Sequence, residues 1–535
     1  MLAKPVMPQD GLPYRLRWSA LIVLSAALTM VIAANTSMVD AIPEITKHLD
    51  ATSTETTWMV DAYPLAVASL LLFFGTVGDR YGRRLAFVVG LVIFGAASLF
   101  GTQATSSNQV ILSRALMGVG GAFIMPATLA YIKLLFPPDE RKKAFGIWSG
   151  SSGVGLVGGP LVAGLLMGSL GWQGSFWVNV ALCAALLIGA ALCVPASRNE
   201  SAARIDVPGA LLAIVALAPL VYGTVEASEY GWTSSRVLGA FGVAIVGLVA
   251  FCAWELRTDS PMLDLAWFRA RAFRMGAGLT VLGFTAGVGI LYGTTELLQQ
   301  YLSHGALRVG VELLPLGIGI GAGAVANGQL VGRFGLRWPM VAGLAVAAAG
   351  AAVMIPWHTH YTSIGIALGI AGFGVGIFLP SLTEEVMNGA PKEAGGVAGA
   401  TADAAVELGA AIGVAVIGTA ISSRYHSKLP AAAHSLPHKA YSAVHDSLYG
   451  AHAVAAKLPV SASHALIKGA DHAWLQGFRF AAIVAAGIFA ATALWATRLP
   501  LHPAVSEEAD SGETAAEQAG FRSPDTDEPK QRAAA

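Results

Sequence analysis

Residues Gly75 to Arg84 read G-T-V-G-D-R-Y-G-R-R, a charged stretch wedged between two apolar runs, each long enough to cross a bilayer. Asp79, Arg80, Arg83 and Arg84, set among glycines, make a tight, solvated, basic loop, and the positive-inside rule puts such a loop in the cytoplasm. The rest of the chain agrees with lipid as its solvent. Its 535 residues are 55% hydrophobic and 12% charged, with a mean hydropathy of +0.61, far more apolar than a soluble domain of this size. The formal net charge of +0 offers nothing to a nucleic acid. No Walker loop, C-x-x-C pair or metal-ligand histidine spacing interrupts the apolar part, so neither a metal nor a cofactor is expected. Cys183, Cys193 and Cys252 all lie inside apolar runs and are read as small hydrophobes.

Working outward, apolar runs of about 18 residues or more predict about fourteen membrane helices. They lie near 18–40, 58–77, 85–104, 109–132, 144–167, 175–195, 206–225, 237–256, 275–298, 309–331, 338–356, 362–383, 401–422 and 475–498. The expected class is an all-α integral membrane protein. Lys4, Arg15 and Arg17 precede the first run and no small-residue cleavage site follows it, so 1–17 is expected to stay in the cytoplasm. Alternating the loops from there puts Lys133, Arg141, Lys142, Lys143, Arg269, Arg271, Arg274, Arg333 and Arg337 on the side of the opening motif, against Lys47, Arg236 and Arg308 in the short outer loops. A weaker copy of the motif, G-Q-L-V-G-R-F-G-L-R at Gly328 to Arg337, falls on that same side, with Gly332 in the place of Asp79. Duplication predicts two six-helix bundles, 18–195 and 275–498, facing each other across a central cavity, with two surplus helices, 206–256, between them. Segment 423–473 is rich in histidine and lies outside; a solvated loop or a short amphipathic helix pair accounts for it better than metal capture. The tail, 499–535, is expected to be disordered in the cytoplasm.

Several residues inside the apolar runs have no reason to be there unless they are used. Arg114, in L-S-R-A-L-M-G-V-G-G, is an intramembrane charge that needs a partner or a wet cavity, unless it snorkels to the interface. At 1.5 Å per residue, Asp61 and Asp40 share its depth, which makes them the candidate partners. Asp403 and Glu407 are i and i+4 on one helix, Glu407 the deeper and Asp403 near a hydrated boundary. Glu296, Glu312, Glu384 and Glu385 lie near helix ends, where hydration is the default. Gly155, Gly159, Pro160 and Gly164 fall in G-x-x-x-G-P-x-x-x-G, a spacing that allows close helix approach and a bend.

The opening motif resembles the major facilitator superfamily signature G-x-L-x-D-R-x-G-R-[KR], with Val77 in the leucine position. The fifth run resembles that superfamily's antiporter motif, and Arg114 its R-x-x-x-G motif, whose arginine is tied to proton coupling. The segment W-M-V-D-A-Y-P-L around Asp61 and the segment from Glu407 to Gly413 resemble fourteen-helix drug:proton antiporters, as does the surrounding of Glu226. The first helix departs from that family, with Ala34 in its acidic position and Asp40 six residues later. The resemblance implies a proton-coupled multidrug efflux antiporter in the bacterial plasma membrane, with both termini cytoplasmic, acting as a monomer. Its partners would be lipophilic or cationic drugs, protons and the lipid bilayer. The alternative is a dedicated exporter or symporter of one metabolite or lipid. A nucleophile, base and orienter constellation is missing, which argues against an enzyme. Proton coupling falls on Asp61, Arg114, Asp40 and Glu407, and substrate binding on Asp61, Glu407, Trp58, Tyr63 and Asp403. Gating falls on Gly75, Asp79, Arg80, Gly82, Arg83, Gly155, Gly159, Pro160 and Gly164.

Overall fold

The computed structural model describes residues 14–197, 206–230, 232–258, 261, 263–356, 360–389, 395–446 and 448–499. The tail expected at 499–535 therefore lies, beyond Leu499, outside the described residues. The helices are α1 (Arg17–Leu49), α2 (Ser53–Tyr81), α3 (Arg83–Thr102), α4 (Ser107–Leu135), α5 (Pro138–Leu170) and α6 (Gly174–Cys193) in the first bundle. A linker pair follows, α7 (Val207–Tyr230) and α8 (Ser235–Glu255). The second bundle has α9 (Arg271–Glu296), α10 (Ala306–Glu312), α11 (Leu314–Phe334), α12 (Arg337–Val353), α13 (Tyr361–Asn388) and α14 (Gly395–Ser427). The short helices α15 (Ala431–His434), α16 (His438–Asp446) and α17 (Leu448–Ala455) then lead to the closing α18 (Val460–Ala496).

A backbone surrounded by lipid must satisfy its polar groups internally, which is why the apolar runs are helical throughout. Twelve segments among the described residues are long and apolar enough to span a membrane. One of them, Lys143–Cys193, takes in most of α5 and all of α6, and the 17-residue apolar α12 stands outside the twelve, so, leaving aside the short α10, fourteen described helices (α1–α9, α11–α14 and α18) make up the two bundles and the linker pair. Side chains such as Ile188, Val246, Val249 and Ile318 point outward at more than 60% exposure, as a lipid-facing surface requires. Some helices outrun their apolar cores. α1 continues to Leu49 and α18 begins at Val460, and the run expected at 309–331 is broken, with Pro315 opening α11 after the short α10.

The halves meet along two seams, α5 against α11 and α2 against α14. Small residues permit the first: a Cβ on Gly153 would lie 2.7 Å from Ile320 Cγ2, and one on Gly146 3.1 Å from the Ala324 carbonyl. On the side of the opening motif, Lys133 of α4 donates to the Met387 carbonyl of α13 at 2.6 Å, joining the halves there as well. The linker helix α7 lies against both α2 and α14, and Trp232, just beyond it, donates its Nε1 proton to Thr419 Oγ1 at 2.9 Å.

Candidate functional site

The motif Gly75–Arg84 forms the α2–α3 corner. Gly82 alone separates the two helices at φ +118°, a conformation that side-chain-bearing residues rarely adopt. That turn brings Arg83 back onto Asp79, with Nη2 2.9 Å and Nε 3.0 Å from Oδ1, both side chains less than a tenth exposed. The Arg83 backbone N–H donates to the Ser197 carbonyl at 3.0 Å, and Arg84 Nη2 to the Ala191 carbonyl at 3.2 Å, so the corner holds the end of α6. Arg80 packs over the Tyr81 ring, and Gly75 is buried one turn before the pair. The second copy keeps the turn, at Gly335 with φ +70°, but has Gly332 and Leu336 at the positions of Asp79 and Arg83. Both members of the buried pair are missing together. That is what desolvation demands, since one charge left without the other would be the costly state.

Arg114 is a junction of three helices. From α4, at 1% exposure, its Nε donates to the Met59 carbonyl of α2 at 3.0 Å, Nη1 to the Ala34 carbonyl of α1 at 2.9 Å, and Nη2 to Asn35 Oδ1 at 3.1 Å. Its guanidinium lies 4.4 Å from the centroid of the Tyr63 ring. Close approach of α4 to α2 makes this possible, because a Cβ on Gly118 would sit 2.6 Å from the Tyr63 carbonyl. The snorkelling reading is thereby excluded. Its hydrogen bonds go to carbonyl oxygens and an amide, Asp61 lies close enough to interact with it electrostatically, and a guanidinium so held is a fixed positive charge. Tyr63 also differs from its expected place on a ligand surface. It is 3% exposed, its hydroxyl donates to the Val31 carbonyl at 2.8 Å, and its ring meets Phe94 edge-on, so in this conformation it supports Arg114.

The acids fall into two groups. Trp58 and Asp61 of α2 line a small cavity with Leu65 and with Val221, Tyr222 and Glu226 of α7. Asp403 and Glu407 lie one turn apart on α14. Asp403 is 2% exposed and its Oδ2 has no hydrogen-bond partner, which corrects the expectation of a hydrated site near the boundary. Glu407, one helical turn further along, is half-buried. Asp40 belongs to α1, but its side chain lies outside the described residues.

On α5, Gly155 and Gly159 face α1. A Cβ on Gly155 would lie 2.7 Å from the Thr29 carbonyl, and one on Gly159 would run into Thr36 Oγ1 and the Ala33 carbonyl. Pro160 touches the other half, since a Cβ on Gly310 of α10 would be 3.3 Å from its Cβ. Gly164 is half-buried one turn further along. The motif thus sits between α1 of its own bundle and α10 of the other.

Sequence reasoning gave no role to several acids that the structure draws inward, among them Glu385, expected to be hydrated but 1% exposed. Glu226, 8% exposed, turns toward α2. Glu312, expected to be hydrated, is 4% exposed and binds His304 Nδ1 at 2.7 Å and Arg308 Nε at 3.0 Å; Arg308 and His304, at i−4 and i−8, were the available signal. Glu296, the half-buried last residue of α9, is hydrogen-bonded to Gln300 of the π-helical turn Leu297–Tyr301 that follows, a feature invisible to helical periodicity.

Residues 22–414 match the Major Facilitator Superfamily. The chain is 31% identical over 431 residues to the tetracenomycin C resistance and export protein of Streptomyces glaucescens, covering 79% of each. To the puromycin resistance protein pur8 of Streptomyces alboniger it is 35% identical over 413 residues, 75% of this chain and 81% of that protein. To the multidrug efflux pump LfrA of Mycolicibacterium smegmatis it is 30% identical over 482 residues, 89% and 95% of the two. The crystal structure of the human organic anion transporter MFSD10 (TETRAN) is similar with a TM-score of 0.61 at 14% identity, over 90% of this chain and 99% of that one, a likeness of fold alone. With the corner at Gly82, the duplicated bundles and a family match over most of its length, this chain belongs to the major facilitator superfamily of multi-pass membrane transporters.

Proposed function

We propose that the protein is a proton-coupled antiporter that exports lipophilic, cationic compounds by alternating access, from the cytoplasm across the bacterial inner membrane, with both termini inside. The relatives named above are resistance and efflux proteins, which supports drug export. Asp403 is the observation that carries proton coupling. A buried carboxyl whose oxygen lacks a partner in one conformation, one helical turn from the half-buried Glu407, can hold a proton there and yield it when the halves rock and water enters. Asp61 of α2 offers a second acid, with Arg114 as a fixed neighbouring cation. In alternating access the α5 glycines would let α1 and α11 slide against α5, while Asp79–Arg83 clamps the cytoplasmic corner. A dedicated exporter of one compound is the second reading, favoured by the single compound in the name of the tetracenomycin C relative.

Everted vesicles containing the protein test this. Ethidium uptake should require a proton gradient and collapse with a protonophore, and Asp403→Asn and Glu407→Gln should each reduce it severalfold. Uptake indifferent to the protonophore would refute proton coupling. Uptake of one structural class alone would favour the dedicated exporter.

A further inference from the structure

The linker helices α7 and α8 belong to neither bundle, and nothing in a two-bundle exchange mechanism requires them. Yet α7 supplies half of the cavity that holds Asp61. The α2 wall consists of Trp58, Asp61 and Leu65, and the α7 wall of Val221, Tyr222 and Glu226. The Trp58 and Tyr222 rings stack across it, centroids 5.8 Å apart at 22°. The space between the walls is about 10 Å³, enough for about one water molecule.

A carboxylate from each wall, two aromatic rings and room for one water define a narrow chemistry. A primary ammonium group has the size of water, donates short charge-assisted bonds to carboxylates and is attracted to ring faces. A quaternary ammonium group is several times larger and has no proton to donate, so the space as it stands does not admit it. The position matters too. The cavity lies where α7 rests on α2, α7 also rests on α14, and Trp232 fastens the end of the linker helix to Thr419. A ligand group held there touches the linker and sits beside the seam between the halves.

We propose that the α2–α7 cavity is a subsite for the protonated amine of an exported compound, with Glu226 and Tyr222 of the linker helix as specificity-determining residues. This deepens, and rests on, the reading of the chain as an exporter of lipophilic cations.

The test uses the purified full-length protein and two probes sharing one fluorophore, dansylcadaverine, a primary ammonium at neutral pH, and its N-acetylated neutral form. The wild type should bind the ammonium probe more tightly. Glu226→Gln should weaken that probe roughly tenfold or more, as loss of one partner of an enclosed charge pair does, and leave the acetylated probe within about twofold. Glu226→Asp, which keeps the charge, should retain the preference, and this separates a lost carboxylate from a damaged fold. Tyr222→Leu should weaken the ammonium probe, whereas Tyr222→Phe, which keeps the ring, should not. An unchanged preference in Glu226→Gln would overturn the subsite while leaving cation export standing. A wild type with no preference between the probes would instead bring down the cation reading on which the subsite rests.

Discussion

Two adjacent glycines of α5 should respond in opposite ways to the same added methyl group. A Cβ on Gly158 meets nothing within 4 Å, whereas one on Gly159 collides with Thr36 Oγ1 and the Ala33 carbonyl and lies 3.0 Å from Ala33 Cα. The threonine oxygen can rotate away; the α1 backbone cannot. Both alanine variants gain the same helix-propensity benefit, about 0.5–1 kcal/mol, so the difference between them isolates the collision. Overpacking of this kind costs about 1–3 kcal/mol, which is roughly a 5- to 150-fold shift in an equilibrium between conformations. Thermal unfolding in one detergent, together with ethidium transport, measures both consequences. Gly158→Ala should melt at or above the parent and transport like it. Gly159→Ala should melt lower and transport more slowly, and so should Gly155→Ala, whose Cβ would lie 2.7 Å from the Thr29 carbonyl. If the Gly158 and Gly159 variants are indistinguishable, the close α1–α5 contact is not what the motif provides.

At the corner, Asp79→Ala should cost about 3–5 kcal/mol by removing the partner of the buried Arg83 guanidinium, and Arg83→Leu should also lower the melting temperature. The double variant, which copies the state of the second repeat at Gly332 and Leu336, should melt higher than either single one. In Arg114→Lys a single ammonium cannot reach Met59, Ala34 and Asn35 together, so at least one charged hydrogen bond is lost, about 1.5–3 kcal/mol, with a lower melting temperature and slower transport. Outside the membrane, Arg17 donates to Glu140 at 2.6 and 2.9 Å and holds its carboxyl below the usual glutamate range. A depressed value means that the stabilisation is complete above the unfolded value, about 4.3, and is lost as pH falls through the folded one. Glu140→Gln should therefore leave the pH dependence of melting between about pH 6 and 8 unchanged and flatten it only below about pH 4.5.

Much of this molecule could be read from its sequence because lipid leaves a chain few choices. Apolar length alone gives the helices. The opening motif announces a sharp corner because Gly82 is the residue that its φ requires. Sequence could not show which face of a helix meets which distant partner. Gly158 and Gly159 are equivalent in a spacing pattern but not in the packed pair of helices. Tyr63 and Trp58, five residues apart on α2, take opposite parts, one beneath Arg114 and the other against α7, because the turn of the helix decides which neighbour each meets. Glu226 carried no signal of its own beyond a familiar surrounding, since its meaning depends on α7 lying against α2, a contact between segments some 165 residues apart in the chain. The polar ends of α1 and α18 went unpredicted because a helix, once begun in lipid, can continue into water where hydropathy says nothing.

Binding of an exported cation should displace protons from the buried acids. The most direct measurement is the pH of a weakly buffered solution of the purified protein on addition of ethidium. Acidification should saturate with ethidium binding and be reduced in Asp61→Asn and Glu407→Gln. Ethidium binding without proton release in the wild type, or release in both variants as large as in the wild type, would contradict it.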